Sequence, residues 1–190
     1  MSQIYYYALE GSRYLLADER NKKHLIDGLL SAHESKDWPV YAFCVTDESA
    51  YVITRTGRAG GIERVIGRAA RQFLQGYEGF SGEGRCLRVT AVEAVDSETE
   101  LARRCRAVHR LPLTLGYVSR IGDYWWSSYR NYVNGQGWRM VNCRPLLDYF
   151  SDDPDEAVRK LRLYHTDTGV RRNSRQHPGK IAPDPTFIRQ

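Results

Sequence analysis

The segment Val40-Tyr-Ala-Phe-Cys-Val-Thr-Asp-Glu-Ser-Ala-Tyr-Val-Ile-Thr-Arg55 contains two apolar runs separated by four turn-forming residues. Residues 40–45 and 51–55 are rich in β-branched and aromatic side chains, which favour strands, and Thr46-Asp-Glu-Ser49 favours a turn. The segment therefore predicts a β-hairpin in which position 51 lies just inside the second strand.

Polar side chains near this turn form a candidate site. Residues two apart in an extended strand face the same way, so Asp47, Ser49 and Tyr51 are expected on one face. Glu48 and Ala50 are expected on the opposite face. The first three residues are therefore the candidate site residues of the hairpin.

The elements around the hairpin predict the fold. Apolar periodicity predicts a strand at 4–8, helices at 19–35 and 62–75, and a strand at 86–95. Ser97 and Glu100 then form a capping-box pattern that begins another helix. Strand, helix, strand, strand, helix, strand is the split βαβ order of a ferredoxin-like fold, an α+β sandwich whose antiparallel sheet carries helices on one face.

A length of 190 residues suits one main core with a small extension. We expect a ferredoxin-fold domain at 1–120, a helical extension packed on it at 121–165, and a basic, flexible tail at 166–190. The sequence contains no apolar run of membrane-spanning length and no signal-peptide pattern, so a cytoplasmic location is expected. The four cysteines lack a paired spacing and are expected as buried free thiols.

The net charge of +5 is concentrated in clusters of arginine. Arginines at 64, 68 and 71 recur at i, i+4 and i+7, which predicts one basic stripe on a helix. Such clusters are the expected footprint of a polyanion, and the alternative is a solvated basic face. The predicted phosphate contacts are Arg55, Arg58, Arg64, Arg68 and Arg71, and in the tail Arg171, Arg172 and Arg175. For a further cluster both interpretations stay open: Arg103, Arg104, Arg106 and Arg110.

Three further stretches, taken with the hairpin, resemble the REP-associated tyrosine transposases, which are single-tyrosine transposases with an HUH (His-apolar-His) motif. Residues 105–118 are similar to the family's helix end, and 145–158 to its C-terminal helical segment. Trp126-Ser-Ser-Tyr129 with Tyr132 is similar to its Trp-Ser-Ser-Tyr-x-x-Tyr signature. The resemblance covers most of residues 4–165 and implies the same ferredoxin-like fold.

The resemblance also implies where the catalytic residues would lie. In the family, two hairpin histidines hold a divalent metal, Mg or Mn, and a helical tyrosine attacks a DNA phosphate. Ser49 and Tyr51 stand at the histidine positions, and Ala107 stands at the nucleophile position. We therefore expect no intact catalytic set and no cofactor, with Asp47 and Glu48 as weak metal candidates.

These observations predict a DNA-binding relative of the transposases that has lost strand cleavage. The resemblance implies hairpin-forming single-stranded DNA as partner, and a homodimer. One alternative is an active metal-dependent transposase or nickase whose site is rebuilt from Asp47, Glu48 and a tyrosine from elsewhere. The other alternative is a non-catalytic RNA-binding or protein-interaction module on the same scaffold.

Several other side chains have two interpretations. Three tyrosines are candidate substitute nucleophiles, although packing is favoured for each: Tyr51, Tyr117 and Tyr124. Four aromatic residues could stack on bases, although docking of a helix on the core is favoured: Trp125, Trp126, Tyr129 and Tyr132. His109 is expected to be a hydrogen-bonded surface imidazole, with a cleft position as the alternative.

Overall fold

The computed structural model describes residues 3–11, 15–36, 38–57, 61, 62, 64, 65 and 87–166. In these ranges the elements are β1 (Gln3–Gly11), α1 (Glu19–Lys36), β2 (Val40–Val45), β3 (Ser49–Thr56), β4 (Leu87–Val95), α2 (Glu98–Thr114), a 3₁₀ turn (Ile121–Asp123), α3 (Tyr129–Asn134), α4 (Arg144–Phe150) and α5 (Pro154–Thr166). The helix predicted at 62–75 lies largely outside the described residues. None of the helices in these ranges offers a long enough apolar stretch to span a bilayer.

The four strands form one antiparallel sheet in the order β2-β3-β1-β4. This is the strand order of the split βαβ arrangement, so the predicted α+β fold is confirmed. β2 spans the predicted residues, whereas β3 begins two residues earlier than predicted. The reason is a tight turn in which the Thr46 backbone N–H donates to the Ser49 carbonyl at 2.7 Å.

Different helices cover the two faces of the sheet, so the prediction that the helices lie on one face was wrong. Side chains alternate along β1, so Tyr7 joins the core that α1 completes with Leu25, whereas Tyr6 joins the opposite core. That opposite core is completed by α2, through Cys105, and by the helices that follow. The candidate site must therefore be assigned to one of two separate faces.

Helix α2 is held to the sheet near its first turn. The Ser97 side chain caps it by accepting from the Glu100 backbone N–H at 3.1 Å, as predicted. The Glu100 carboxylate accepts from Arg104 Nε at 2.8 Å. The Arg104 guanidinium also pairs with Glu93 of β4 and lies over the Tyr6 ring of β1, 4.7 Å from its centroid. One largely buried arginine thus joins α2 to two strands.

The outer edge of β2 is covered by the chain that follows the 3₁₀ turn. The Val45 backbone N–H donates to the Trp126 carbonyl at 2.9 Å, and the Ser128 N–H donates to the Phe43 carbonyl at 3.0 Å. Segment 140–142 makes two further backbone bonds with the start of β2. An exposed strand edge can pair with other chains, so this cover closes the β2 side of the sheet.

A buried chain of hydrogen bonds connects β2 to the last helix. The Phe43 backbone N–H donates to Ser128 Oγ at 2.9 Å, and this oxygen lies 2.8 Å from His109 Nε2. His109 Nδ1 lies 3.0 Å from His165 Nε2, and His165 Nδ1 lies 2.9 Å from the Leu161 carbonyl. Ser128, His109 and His165 are all buried.

Burial lowers the pKa of both imidazoles and keeps them neutral at pH 7, and the carbonyl at the end of the chain then determines where every proton lies. A carbonyl can only accept, so His165 carries its proton on Nδ1 and accepts at Nε2. His109 must then donate from Nδ1 and accept at Nε2. The Ser128 hydroxyl therefore donates to His109 while its oxygen accepts from the Phe43 N–H. Both imidazoles are neutral, and every bond in the chain has one donor and one acceptor.

Replacing Ser128 by alanine should destabilise the protein by about 1–3 kcal/mol, because it leaves the Phe43 N–H and His109 Nε2 buried without this partner. Urea denaturation of the wild type and Ser128→Ala measures the difference. Ser119, which is exposed, provides the matched control, since Ser119→Ala should leave the unfolding midpoint unchanged. Equal midpoints for the two variants would contradict the assigned hydrogen-bond chain.

Candidate functional site

Ser49 and Tyr51 lie on the face of β3 that α2 covers. The Tyr51 ring stacks against Tyr6 with centroids 6.3 Å apart, and the neighbouring Ser49 hydroxyl only partly offsets the effect of burial on the pKa of its phenol. Ala50 packs in the opposite core, under α1. Burial raises the pKa of Tyr51. The two side chains at the family's histidine positions therefore face the same way, as expected, but form a neutral pair of hydroxyl groups.

Asp47 belongs to the turn rather than to the strand face. Its Oδ1 accepts from Lys22 Nζ of α1 at 2.6 Å. The Lys22 side chain is only 7% exposed, against 36% for Asp47, so the carboxylate serves as the counter-charge of a nearly buried ammonium. No pattern in the sequence pairs residues 22 and 47, because the contact depends on how α1 packs beside the hairpin.

The donor set at the hairpin does not fit the family's Mg or Mn ion. Glu48 is exposed at the tip, and its carbonyl accepts from the Gly11 N–H at 2.8 Å. The other donors are the Asp47 carboxylate, which Lys22 already pairs, and two neutral hydroxyl groups. Oxygen-bound divalent cations are held by several carboxylate and carbonyl oxygens. Within the described ranges, no three His, Cys, Asp or Glu side chains come together.

Ala107 lies on α2, half-buried, on the same side of the sheet as Ser49 and Tyr51. The structure thus brings the three positions matched to the family's catalytic residues to one face. A methyl group has no lone pair with which to attack a phosphate. The match of these positions to the family's catalytic residues stays a prediction, and the side chains present carry different chemistry.

Tyr117 reaches the hairpin through the turn that ends α2. Gly116 adopts a φ of 76°, and the Tyr117 N–H donates to the Pro112 carbonyl at 2.9 Å, which closes the helix as a Schellman motif. The Tyr117 phenol lies near enough to Asp47 for that carboxylate to influence its pKa, and its ring lies 5.7 Å from that of Tyr124. This is the one candidate tyrosine of the three that is exposed, at 42%.

All three candidate tyrosines are harder to ionise than a free phenol. Burial raises the pKa of Tyr51, of Tyr117 and of Tyr124, and the Asp47 carboxylate raises the pKa of the last two further. The Tyr124 hydroxyl donates to the Val45 carbonyl at 2.9 Å. A phenol becomes a nucleophile by losing its proton, so this environment disfavours all three as nucleophiles.

His109 is fully buried and so is neither the surface imidazole nor the cleft residue considered from the sequence. Burial lowers its pKa well below the ordinary value, and burial lowers the pKa of His165 to about 4. Both imidazoles are committed to the hydrogen-bond chain. Helical spacing could have placed His109 on the buried stripe with Cys105 and Pro112, but no sequence pattern pairs it with His165.

The arginines of α2 make contacts within the fold. Arg106 Nε donates to the Tyr164 carbonyl at 2.6 Å, and Arg110 donates to the carbonyl of His165. These carbonyls are at the C-terminal end of α5, where positive charge is favourable. Arg103 pairs with Glu100. The described structure therefore favours the structural interpretation for this cluster over a polyanion surface.

Few of the predicted phosphate contacts fall on described residues. Arg55 is exposed on β3, with its guanidinium 5.7 Å from the centroid of the Tyr41 ring, and Arg64 is exposed. The others lie outside the described residues: Arg58, Arg68, Arg71, Arg171, Arg172 and Arg175. Their role as DNA contacts stays a prediction.

The Trp-Ser-Ser-Tyr segment packs against the core. Tyr129 and Tyr132 are buried beside His109, and the Tyr132 hydroxyl donates to the Tyr41 carbonyl of β2. Trp126 is half-buried and stacks on Trp138. Trp125, by contrast, is 51% exposed. Packing thus accounts for three of the four aromatic residues weighed from the sequence.

The fold has a solved counterpart. A structure of a REP-associated tyrosine transposase bound to a REP hairpin matches with a TM-score of 0.55, at 13% sequence identity, covering 70% of this chain and 81% of that chain. The likeness shows the fold. No protein-family model matches the sequence, and no curated protein is similar to it.

The buried histidines predict a loss of stability in mild acid. The folded pKa of His165, about 4, lies below the ordinary value of 6.5, so unfolding takes up a proton as the pH falls through 6.5. The contribution of neutral His165 to the free energy of unfolding is fully present above pH 6.5 and is lost as the pH falls from 6.5 to about 4. His165 alone should lower the free energy of unfolding by about 2 kcal/mol between pH 7 and pH 5, and His109 should add to this.

Urea denaturation at pH 7 and pH 5 measures this effect. The window avoids Glu100, whose pKa is lowered by Arg104 and Arg103 from its ordinary 4.5, so that its stabilising contribution is lost only below that pH. A free energy of unfolding that is the same at pH 7 and pH 5 would show that the imidazoles are not held neutral.

Proposed function

We propose that this protein binds hairpin-forming single-stranded DNA through a transposase-like scaffold and does not cleave it. The DNA-binding part is supported by the fold shared with a transposase bound to a REP hairpin. The observation that carries the second part is the chemistry of the hairpin site. Ser49 and Tyr51 offer only neutral hydroxyl groups, because burial raises the pKa of Tyr51, and Asp47 neutralises Lys22.

Strand cleavage by a tyrosine requires a nucleophile and a group that stabilises charge on the phosphate. Ala107 offers no nucleophile, and the raised pKa values of Tyr51, Tyr117 and Tyr124 disfavour a replacement. The Lys22 ammonium beside the 46–49 turn is nearly buried and already paired with Asp47. These features support binding without cleavage.

The contact of Tyr117 with Asp47 favours one second candidate, the rebuilt nuclease. In that mechanism the exposed phenol of Tyr117 would attack the phosphate, with a metal ion beside Asp47 and Glu48. The homodimer implied by the family resemblance and the cytoplasmic location expected from the sequence remain predictions, as do the domain boundaries.

Incubation with a labelled DNA hairpin and Mg²⁺ or Mn²⁺ separates the two functions. We expect binding in a mobility-shift assay but no covalent protein–DNA adduct on a denaturing gel, because no ionised phenol or metal-bound phosphate forms. An adduct that disappears in Tyr117→Phe would establish the rebuilt nuclease instead. An adduct that persists in that variant would also contradict the proposal, through another nucleophile.

The affinity for the hairpin should fall steeply with salt. Neutralising Z phosphates gives a log–log slope of about −0.7Z on single strands, so replacing Arg64, Arg68 and Arg71 by Gln should reduce the slope by about two units if all three contact phosphates. Fluorescence anisotropy at several salt concentrations measures it. Arg144, an exposed arginine paired with Asp148, gives the control variant Arg144→Gln, for which we expect an unchanged slope. An unchanged slope in the triple variant would exclude these three arginines as phosphate contacts.

A further inference from the structure

Trp125 is the one tryptophan of the four whose side chain is mostly in water. It is 51% exposed, whereas Trp38, Trp126 and Trp138 are half-buried. An indole is the largest apolar side chain, and leaving half of it in water forgoes much of the burial energy that it could contribute to the core. Its position therefore calls for a reason other than packing.

The exposed indole has an ordered aromatic support. Trp125 contacts Trp138 with ring centroids 5.8 Å apart, and Trp138 stacks on Trp126 at 6.2 Å with 25° between the planes. Phe43 of β2 meets the Trp138 ring edge-on at 6.0 Å. A rigid support of this kind lowers the entropy that a ligand must remove on binding.

The backbone of Trp138 is held on both sides by one side chain. Asn131 Oδ1 accepts from the Trp138 N–H at 3.1 Å, and Asn131 Nδ2 donates to its carbonyl at 2.9 Å. Trp126 is held in turn by the bond from the Val45 N–H to its carbonyl. Trp125 is thus presented beside the end of β2, next to the 46–49 turn.

A cation lies against the same indole. The guanidinium carbon of Arg130 is 5.0 Å from the centroid of the Trp125 ring. Many arginines of the described ranges form ion pairs with carboxylates, such as Arg139 with Glu34. No carboxylate within the part of the chain that the structure describes forms an ion pair with Arg130. An uncompensated cation beside an exposed aromatic face suits a ligand that is both aromatic and anionic.

We propose that Trp125 and Arg130 form a stacking site for an unpaired nucleotide of single-stranded DNA. The indole stacks on the base, and the guanidinium binds the adjoining phosphate. A protein partner fits less well, because an apolar side chain would bury the Arg130 charge without a counter-ion. The inference rests on the proposed function and deepens it, by assigning the place where nucleotides outside the paired hairpin bind.

The test compares three labelled DNA probes in anisotropy measurements on the full chain. The first probe is a blunt hairpin. The second is the same hairpin with a single-stranded tail of about ten nucleotides, a length within the site size of single-strand binders. The third carries the same tail without bases. Trp125→Ala should weaken binding of the tailed hairpin roughly tenfold, the range seen for stacking aromatics, and Trp125→Phe should retain most of the affinity.

The other two probes show whether the indole stacks on a base. Removing the bases should weaken wild-type binding by a similar factor, and Trp125→Ala should then cause no further loss, because both changes remove one interaction. Arg130→Gln should weaken binding of the tailed probe. It should also reduce the slope of log affinity against log salt by the contribution of about one phosphate. Tyr149, an aromatic residue of α4 that is 39% exposed, gives the matched control Tyr149→Ala, which should bind as the wild type does.

The outcomes distinguish this inference from the proposed function. A wild-type protein that binds none of the probes would overturn both. Binding of the hairpins that is unaffected by Trp125→Ala would overturn the stacking site alone. An equal loss on all three probes would also overturn it, because the indole would then act without a base. Melting temperatures of the variants identify any loss caused by unfolding.

Discussion

The hydrogen-bond chain through Phe43, Ser128, His109 and His165 is the constraint on which the arrangement of the C-terminal half depends. Each group in it is buried, and a buried polar group without a partner is costly. Because both imidazoles are neutral and the chain ends at a carbonyl, only one order of protons satisfies all members. Helices α2, α3 and α5 must therefore meet β2 in one register, and this register also covers the strand edge.

That arrangement decides what the candidate site can do. The helices that complete the second core cover the face of the sheet to which Tyr51 belongs, and Ala107 lies on one of these helices. Both histidines of this region are used in the core, where they are neutral and have no free lone pair for a metal. The fold of the protein therefore does not determine the chemistry of the candidate site, since one fold can host many functions.

Local patterns were enough to predict most of the described elements. β2 was predicted to the residue, and Ser97 was predicted as the cap of α2, because strand alternation and capping depend on neighbours in the chain. The contacts of Lys22, Arg106 and His165 could not be predicted. Each contact joins residues tens of positions apart in the sequence. If the helices packed differently, the same side chains would be exposed to solvent and would not form these contacts.

The sequence by itself determined the hairpin, the α+β order of elements and the absence of imidazole at Ser49 and Tyr51, because these follow from residue type and short-range periodicity. Only the tertiary structure decided that Asp47 is the counter-ion of Lys22, that Arg106 and Arg110 bind the carbonyls at the end of α5, and that Trp125 is the exposed aromatic residue of its segment. The physical reason is that burial and pairing are properties of packed neighbours, which a linear sequence does not specify.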